Sequence, residues 1–325
     1  MKKAMKKIMK KCLQCKKAMI LYIYVRNDEK NNEKSNERGK QMILSFDLGN
    51  YNIKTSRDVK FISTFREVID VDATETNVVE YKGKKYIMET MDKFDNEFNK
   101  ANKNYIPNLL WAIDKSIDAD TVLDITLNVP VENNGVAEQY KDQLANKTFE
   151  FTARGKHRTI QIRKVAVLEE GLGAFFTLSQ KEMLHDTMII DIGGRTTNVL
   201  TFVNARKEHK KQINTGMINF YEDVRMMYNR QGKNAQTHKI KGMIQRDIIP
   251  SDIVDVCREK FIKDILNEIK TLGDRDNYKI WFTGGGSEEL KQSILSIEPN
   301  ANFVNDPVMA NVTGNEKIAK LTWGE

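Results

Sequence analysis

Met42-Ile43-Leu44-Ser45-Phe46-Asp47-Leu48-Gly49-Asn50-Tyr51-Asn52-Ile53-Lys54 reads as a strand, a turn and a returning strand. The apolar run Ile43 to Phe46 has the composition of a buried strand. It brings one carboxylate, Asp47, to its end. Gly49 follows, the residue type that takes φ > 0 freely and so permits a tight turn. Backbone N–H groups in such a turn can point at phosphate oxygens. Lys54 is spaced so that the returning strand carries its ammonium back towards Asp47. Taken alone the loop is a weak signal, because a glycine after a strand is commonly just a turn.

The pattern returns in Met188-Ile189-Ile190-Asp191-Ile192-Gly193-Gly194-Arg195-Thr196-Thr197-Asn198-Val199: a strand, an aspartate, a glycine turn and a second strand. Two such hairpins facing each other can clasp a polyphosphate. Their carboxylates can share a hydrated cation, since Mg²⁺ keeps several waters and is usually held through one or two carboxylates plus phosphate. A third glycine signal, Ile280-Trp281-Phe282-Thr283-Gly284-Gly285-Gly286-Ser287, reads as a strand entering a glycine-rich turn, with a helix from Glu288 to Ser293.

Three motifs in this order and at this separation resemble the actin, sugar-kinase and heat-shock-chaperone ATPase superfamily. Within it, the resemblance is to the ParM-like plasmid-segregation actins. It runs from Met42 to about Gly314. The resemblance implies an α/β actin-like ATPase fold of two related domains, each a mixed five-stranded sheet with flanking helices, around a nucleotide cleft. Residues 42–186 would form domain I, with a small IB insertion between the first hairpin and Asn102. Residues 187–305 would form domain II, with a short IIB region over Gln231 to Arg246, and 306–325 a helix returning to domain I.

The same resemblance implies the site. Asp47, Gly49, Asn50, Tyr51, Asn52 and Lys54 would bind the nucleotide from the first hairpin, and Gly193, Gly194, Arg195 and Thr196 from the second. Gly216, in the turn Asn214 to Phe220, would face the nucleotide, and Gly284, Gly285, Gly286 and Ser287 would carry the base on a flat backbone. The cofactors implied are ATP (or GTP) and Mg²⁺, with Asp47 and Asp191 holding the metal through water. Glu170 and Asp191 are the implied catalytic residues. Glu170 ends the strand Ile160 to Val167 and its extension, matching an acidic residue that relatives place between the two hairpins; Glu169 would face away. Read without the hairpins, both glutamates are ordinary charges at a helix N-terminus, favoured by the dipole. Lys54 can equally be read as a surface lysine. Two departures stand out: Arg195, which could pair with a γ-phosphate or point to solvent, and Asn198, where relatives often carry an acid.

Elsewhere the pattern predicts a β-hairpin over Val78 to Met88 with Gly83 in its turn, and a helix over Asn102 to Ile117. It also predicts a strand Val122 to Val129 stopped by Pro130, and a helix around Gln139 to Asn146. A long helix over Asp252 to Leu272 should turn Ile253, Val256, Phe261, Ile265, Leu266 and Ile269 inward.

The net charge of +7 is concentrated at one end. Residues 1–41 carry thirteen Lys and Arg against four Asp and Glu, which leaves the remainder slightly acidic. The body therefore offers no basic stripe for direct nucleic-acid binding. The extension is expected to be disordered, and is either a basic tail or read-through ahead of a start at Met42. Its apolar run, Ala18 to Val25, is far short of a membrane span. Cys12 and Cys15 lack a second pair and are not expected to bind metal. No Gly-x-x-x-x-Gly-Lys-Ser/Thr motif is present, which excludes a P-loop enzyme. The expectation is a cytoplasmic ATPase that polymerises with itself and reaches plasmid DNA through a DNA-binding adaptor, without a membrane. The alternatives are a small-molecule kinase of the same superfamily and a cell-shape type actin.

Overall fold

A computed structural model describes residues 42–90, 102–132 and 135–324. The expectations for residues 1–41, including Cys12 and Cys15, lie outside the described residues.

Strands β1 (Met42–Leu48), β2 (Asn52–Thr55) and β3 (Lys60–Ile62) form an antiparallel meander. β4 (Phe65–Val68), β5 (Val78–Tyr81) and β6 (Lys84–Met88) follow, the last two joined by a turn in which Lys82 and Gly83 both take positive φ. Helix α1 (Ile106–Ser116) leads to β7 (Val122–Val129), and α2 (Val136–Leu144) to the hairpin β8 (Lys147–Ala153) and β9 (Lys156–Glu169). Two short helices, α3 (Leu172–Thr177) and α4 (Gln180–Met183), connect to a second meander, β10 (Thr187–Ile192), β11 (Thr197–Val203) and β12 (Arg206–Ile213). Then come α5 (Met217–Asn229), α6 (Thr237–Gln245), α7 (Ser251–Glu268), β13 (Lys279–Thr283), α8 (Gly284–Glu289), α9 (Lys291–Ile297), β14 (Asn302–Phe303) and α10 (Ala310–Trp323).

The strands lie in two sheets built on one plan. Each starts as a three-stranded meander and continues in parallel strands: β3-β2-β1-β7-β9 in the first, β12-β11-β10-β13-β14 in the second. The second sheet has the five strands expected. The first has nine, because it runs on through β8, β5, β6 and β4. The cause is the length of β9. Its first half pairs with β8 and its second half with β7, so one strand carries the sheet into the small insertion.

Alternation along β10 sets the layers, since side chains on a strand point to opposite faces in turn. Met188, Ile190 and Ile192 face a core containing Phe220 and Val224 of α5 and Phe261 and Ile265 of α7. Ile189, between them, faces Phe175 of α3 and Ile318 of α10. Phe175 stacks on Phe202 of β11 with centroids 3.7 Å apart. A strand buried on both faces reads as a continuous apolar run, as this one does. Helix α10 also reaches the first sheet. Its Glu316 accepts from Arg57 Nη1 at 3.2 Å, and its Asn315 donates to Asn128 Oδ1 of β7 at 2.7 Å. Where α10 crosses α3 no side chain intervenes: a Cβ on Gly314 would stand 1.8 Å from the carbonyl oxygen of Gly173.

Several element limits differ from the sequence pattern. α1 begins at Ile106, with Pro107 in its first turn, where a missing N–H costs nothing. α2 begins earlier than expected and ends at Leu144. Val256 is exposed, because the buried stripe of α7 runs through Ile253, Cys257 and Phe261, and Val256 lies off it. The long helix passes into a 3₁₀ turn at Ile269–Leu272. The third glycine motif is itself helical: α8 starts at Gly284, and a second helix starts at Lys291.

Candidate functional site

The two meanders present their first turns to one cavity of about 300 Å³, a size typical of the small end of ligand sites. From the first hairpin it is lined by Asp47, Gly49, Asn50, Tyr51, Asn52 and Lys54. From the second come Asp191, Gly193, Gly194, Arg195 and Thr196. Glu170 and the glycines Gly284, Gly285 and Gly286 also line it, whereas Gly216 and Ser287 of the expected set do not. The hairpin tips touch: a Cβ on Gly194 would come within 2.9 Å of Tyr51 Cβ.

Asp47 and Lys54 are register partners on β1 and β2, which places their side chains on the same face. Lys54 Nζ donates to Asp47 Oδ2 at 2.9 Å, both groups being buried. Burial opposes the lysine's charge, but Asp47, with Asp191 and Glu170 near, outweighs it and raises the Lys54 pKa. Lys54 is therefore not a surface lysine. The turn between the strands is tight for a reason other than a positive φ. Gly49 is absent from the positive-φ residues, and it is the approach of Asn52 O, 2.5 Å from where a Cβ would sit, that demands glycine.

Asp191 and Asn198 hold the corresponding places on β10 and β11. Asn198 is fully buried. Its Nδ2 donates to Glu170 Oε2 at 2.6 Å and to Thr196 Oγ1 at 3.2 Å, and its Oδ1 accepts from Val131 N at 3.1 Å. This amide thus fixes the Glu170 carboxylate over the cavity. Glu169, one residue back, accepts from Lys207 and Lys210 of β12 and does not line the cavity. Asp191 is buried, and burial with the nearby Glu170 charge pushes its pKa up to about 7, against the pull of Lys54 and Asn311. Arg195 is only 8% exposed and lines the cavity, so it does not point to solvent.

Three placements differ from expectation. Gly216 lies beneath the second hairpin, where a Cβ would meet the backbone of Gly194 and Arg195 at 2.7 Å; it does not line the cavity. Ser287 is buried under the glycine floor and donates to Gly284 O at 2.8 Å. Of the glycines, Gly284 and Gly286 are dictated by packing on the end of β10. Added Cβ atoms there would lie 2.4 Å from Asp191 Oδ1 and 2.3 Å from Ile192 Cγ2. Of the three glycines of this motif, only Gly285 has open space where a Cβ would sit, and it lines the cavity.

Sequence reasoning missed the far wall and one polar link. Tyr221 of α5 donates to Glu289 at 2.8 Å, Lys241 of α6 pairs with Glu289 at 3.0 Å, and the Lys241 ammonium sits 5.3 Å from the Tyr51 ring centroid. Lys60, Gln245 and Glu288 also line the cavity. No periodicity or glycine turn marks these residues. The link is Asn311 of α10, which donates to Asp191 Oδ2 at 2.6 Å while its Oδ1 accepts from Gly171 N and Ala174 N.

The donor set suits a hydrated cation better than a directly ligated one. Among the described residues no group of three His, Cys, Asp or Glu is arranged to hold a metal. Asp47 and Asp191 lie on facing turns of one cleft, where water and phosphate can supply the remaining oxygens.

No protein-family model matches this sequence, and no curated protein matches it. Solved structures do. The archaeal actin homologue Ta0583 in complex with ADP is similar with a TM-score of 0.73 at 19% identity, over 86% of this chain and 99% of that one. A non-polymerisable quadruple mutant of pCBH ParM gives a TM-score of 0.70 at 20% identity, over 86% and 99%. The AlfA filament bound to AMPPNP gives 0.62 at 17%, over 87% and 99%. With two meander-led sheets and no barrel among the described residues, the chain has the actin-like fold, similar to that of ParM and the archaeal actin homologue.

Proposed function

We propose that this chain is an actin-like nucleoside triphosphatase that assembles into filaments and segregates plasmid DNA. The observation that carries the reading is the convergence of Asp47, Asp191, Lys54 and Glu170, from both halves of the fold, on one cleft. Asp47 and Asp191 would hold Mg²⁺ through water, and the ion when bound would offset negative charge on the phosphates. Lys54, kept in place by Asp47, would lie against a phosphate oxygen. Glu170, fixed by Asn198, would orient the attacking water and accept its proton. The backbone at Gly285 would carry the base. ADP and AMPPNP in two of the similar structures support a nucleotide here, and the filament state of one supports assembly. An adaptor protein would make the DNA contact, because residues 42–325 carry slightly more acidic than basic side chains and so offer no net positive charge for it. Among the described residues no helix is long and apolar enough to cross a membrane. The cytoplasmic setting belongs to this reading.

The test is assembly. The purified chain mixed with Mg-ATP or Mg-GTP should raise light scattering, pellet on centrifugation and release phosphate. No nucleotide-dependent assembly across a range of salt and protein concentration would sink the filament reading. Hydrolysis accelerated by a sugar, with no polymer, would favour the kinase alternative.

A further inference from the structure

Three lysines line the cleft: Lys54, Lys60 and Lys241. Two of them are engaged. Lys54 is held by Asp47 at 2.9 Å, and Lys241 by Glu289 at 3.0 Å. Lys60 has no hydrogen-bond or ion-pair partner among the described residues. It sits on β3 as the register partner of Lys54, so the two side chains leave the sheet on the same face, the one turned to the cavity. Its own surroundings work against its charge: burial lowers its pKa, as do Lys241 and Lys54, and only Asp306 opposes them. An exposed ammonium at the rim of a cavity that already holds Lys54, Lys241 and Arg195 adds to a positive potential that favours an arriving anion.

We propose that Lys60 is a polyphosphate-binding residue, a further cation beside Lys54, Lys241 and Arg195 that sets how strongly the cleft holds a nucleotide and how strongly that hold depends on the nucleotide's negative charge. The proposal rests on the nucleotide reading above. Lys54 and Lys241 are held in place and act where they stand. Lys60 is a strongly hydrated point charge on a flexible stem, and it can follow the phosphates. Its contribution is therefore to ground-state affinity. It should grow with the number of phosphates and shrink as salt screens the pair.

The experiment is equilibrium binding of Mg-ATP, Mg-ADP, Mg-GTP, Mg-GDP and adenosine to the full chain carrying Lys60→Gln or Lys60→Arg, with Lys84→Gln as a control far from the cleft. Lys60→Gln should weaken the triphosphate by about tenfold at low salt, the scale of one lost charge-assisted contact. It should weaken the diphosphate less, and leave any adenosine binding unchanged. Lys60→Arg should restore most of the loss, and raised salt should narrow the gap to wild type. Equal triphosphate affinity in Lys60→Gln and wild type overturns the proposal, as does an equal loss for adenosine, which would mark a general distortion. A wild-type chain that binds none of these nucleotides overturns this proposal and the nucleotide reading together. Wild-type binding with an unaffected Lys60→Gln overturns this one alone.

Discussion

Asn311 donates its Nδ2 hydrogen to Asp191 Oδ2 at 2.6 Å, across 120 residues of chain. With the same side chain's Oδ1 it accepts from Gly171 N at 3.1 Å, just ahead of α3. One buried amide thus ties α10, α3 and β10 together. Asn311→Ala removes it without adding bulk and leaves a carboxylate and two backbone N–H groups without that partner. A loss of about 1–3 kcal/mol in stability is expected, read as a lower urea midpoint. An unchanged midpoint would show that water replaces the amide.

The Asp191 carboxyl gives stability a definite pH slope. Its pKa rises from 3.8 to about 7 on folding, chiefly through burial and then Glu170. Between those values the native chain binds a proton that the unfolded chain has released. The contribution is destabilising as pH climbs through that window and constant above it. Nucleotide-free protein should therefore lose stability from about pH 4 to about pH 7 on account of this group, by a few kcal/mol at most. Asp191→Asn should flatten the curve, and urea titrations at a series of pH values compare the two. Parallel curves would place the titration elsewhere.

Glu170→Ala separates binding from chemistry. A residue that only orients water adds little to ground-state affinity. The variant should still bind nucleotide and assemble, yet release phosphate at least about tenfold more slowly, a barrier increase of about 1.4 kcal/mol. Its filaments should persist longer. Glu169→Ala is the adjacent control: it loses partly exposed pairs with Lys207 and Lys210 and nothing in the cleft. Phosphate release beside light scattering decides the matter, and a slow Glu169→Ala would reverse the assignment.

Gly285→Ala and Gly286→Ala should part company. The Gly285 methyl has open space, and alanine gains about 0.5–1 kcal/mol over glycine in a helix, so the fold should hold while nucleotide affinity drops. The Gly286 methyl would overlap Ile192, an overpacking cost of about 1–3 kcal/mol. Thermal melts with and without nucleotide distinguish them. Equal nucleotide affinity in Gly285→Ala and wild type would remove the base from that backbone.

What could be read in advance follows from range. The two hairpins were legible because an apolar run, an Asp and a Gly turn are neighbours in sequence, and Asp47 meets Lys54 seven residues on. Asn311 was not, since an amide in a helix has no periodic signature and its partner lies on another element. Val256 was misplaced because apolar spacing alone does not say where a helical stripe is centred. The glycines of α8 were read as a turn, because glycine disfavours helices. The close approach of Ile192 requires small residues there all the same. Lys60 carried no motif; it acquires meaning only beside Lys54 and Lys241.

The sheet edges bear on how copies of this chain can meet. Open edges invite strand addition from other molecules, and proteins blunt them with short strands or charge. Here β3, β4 and β14 span three, four and two residues. The one long edge, β12, reads Arg206-Lys207-Glu208-His209-Lys210-Lys211 and is mostly exposed. Among the described residues, backbone-to-backbone growth is thereby disfavoured at each sheet edge. A polymer joined instead through side-chain surfaces would have a fit that changes with the shape of the protomer. Such a polymer can come apart again, which one knitted through its backbones would not do.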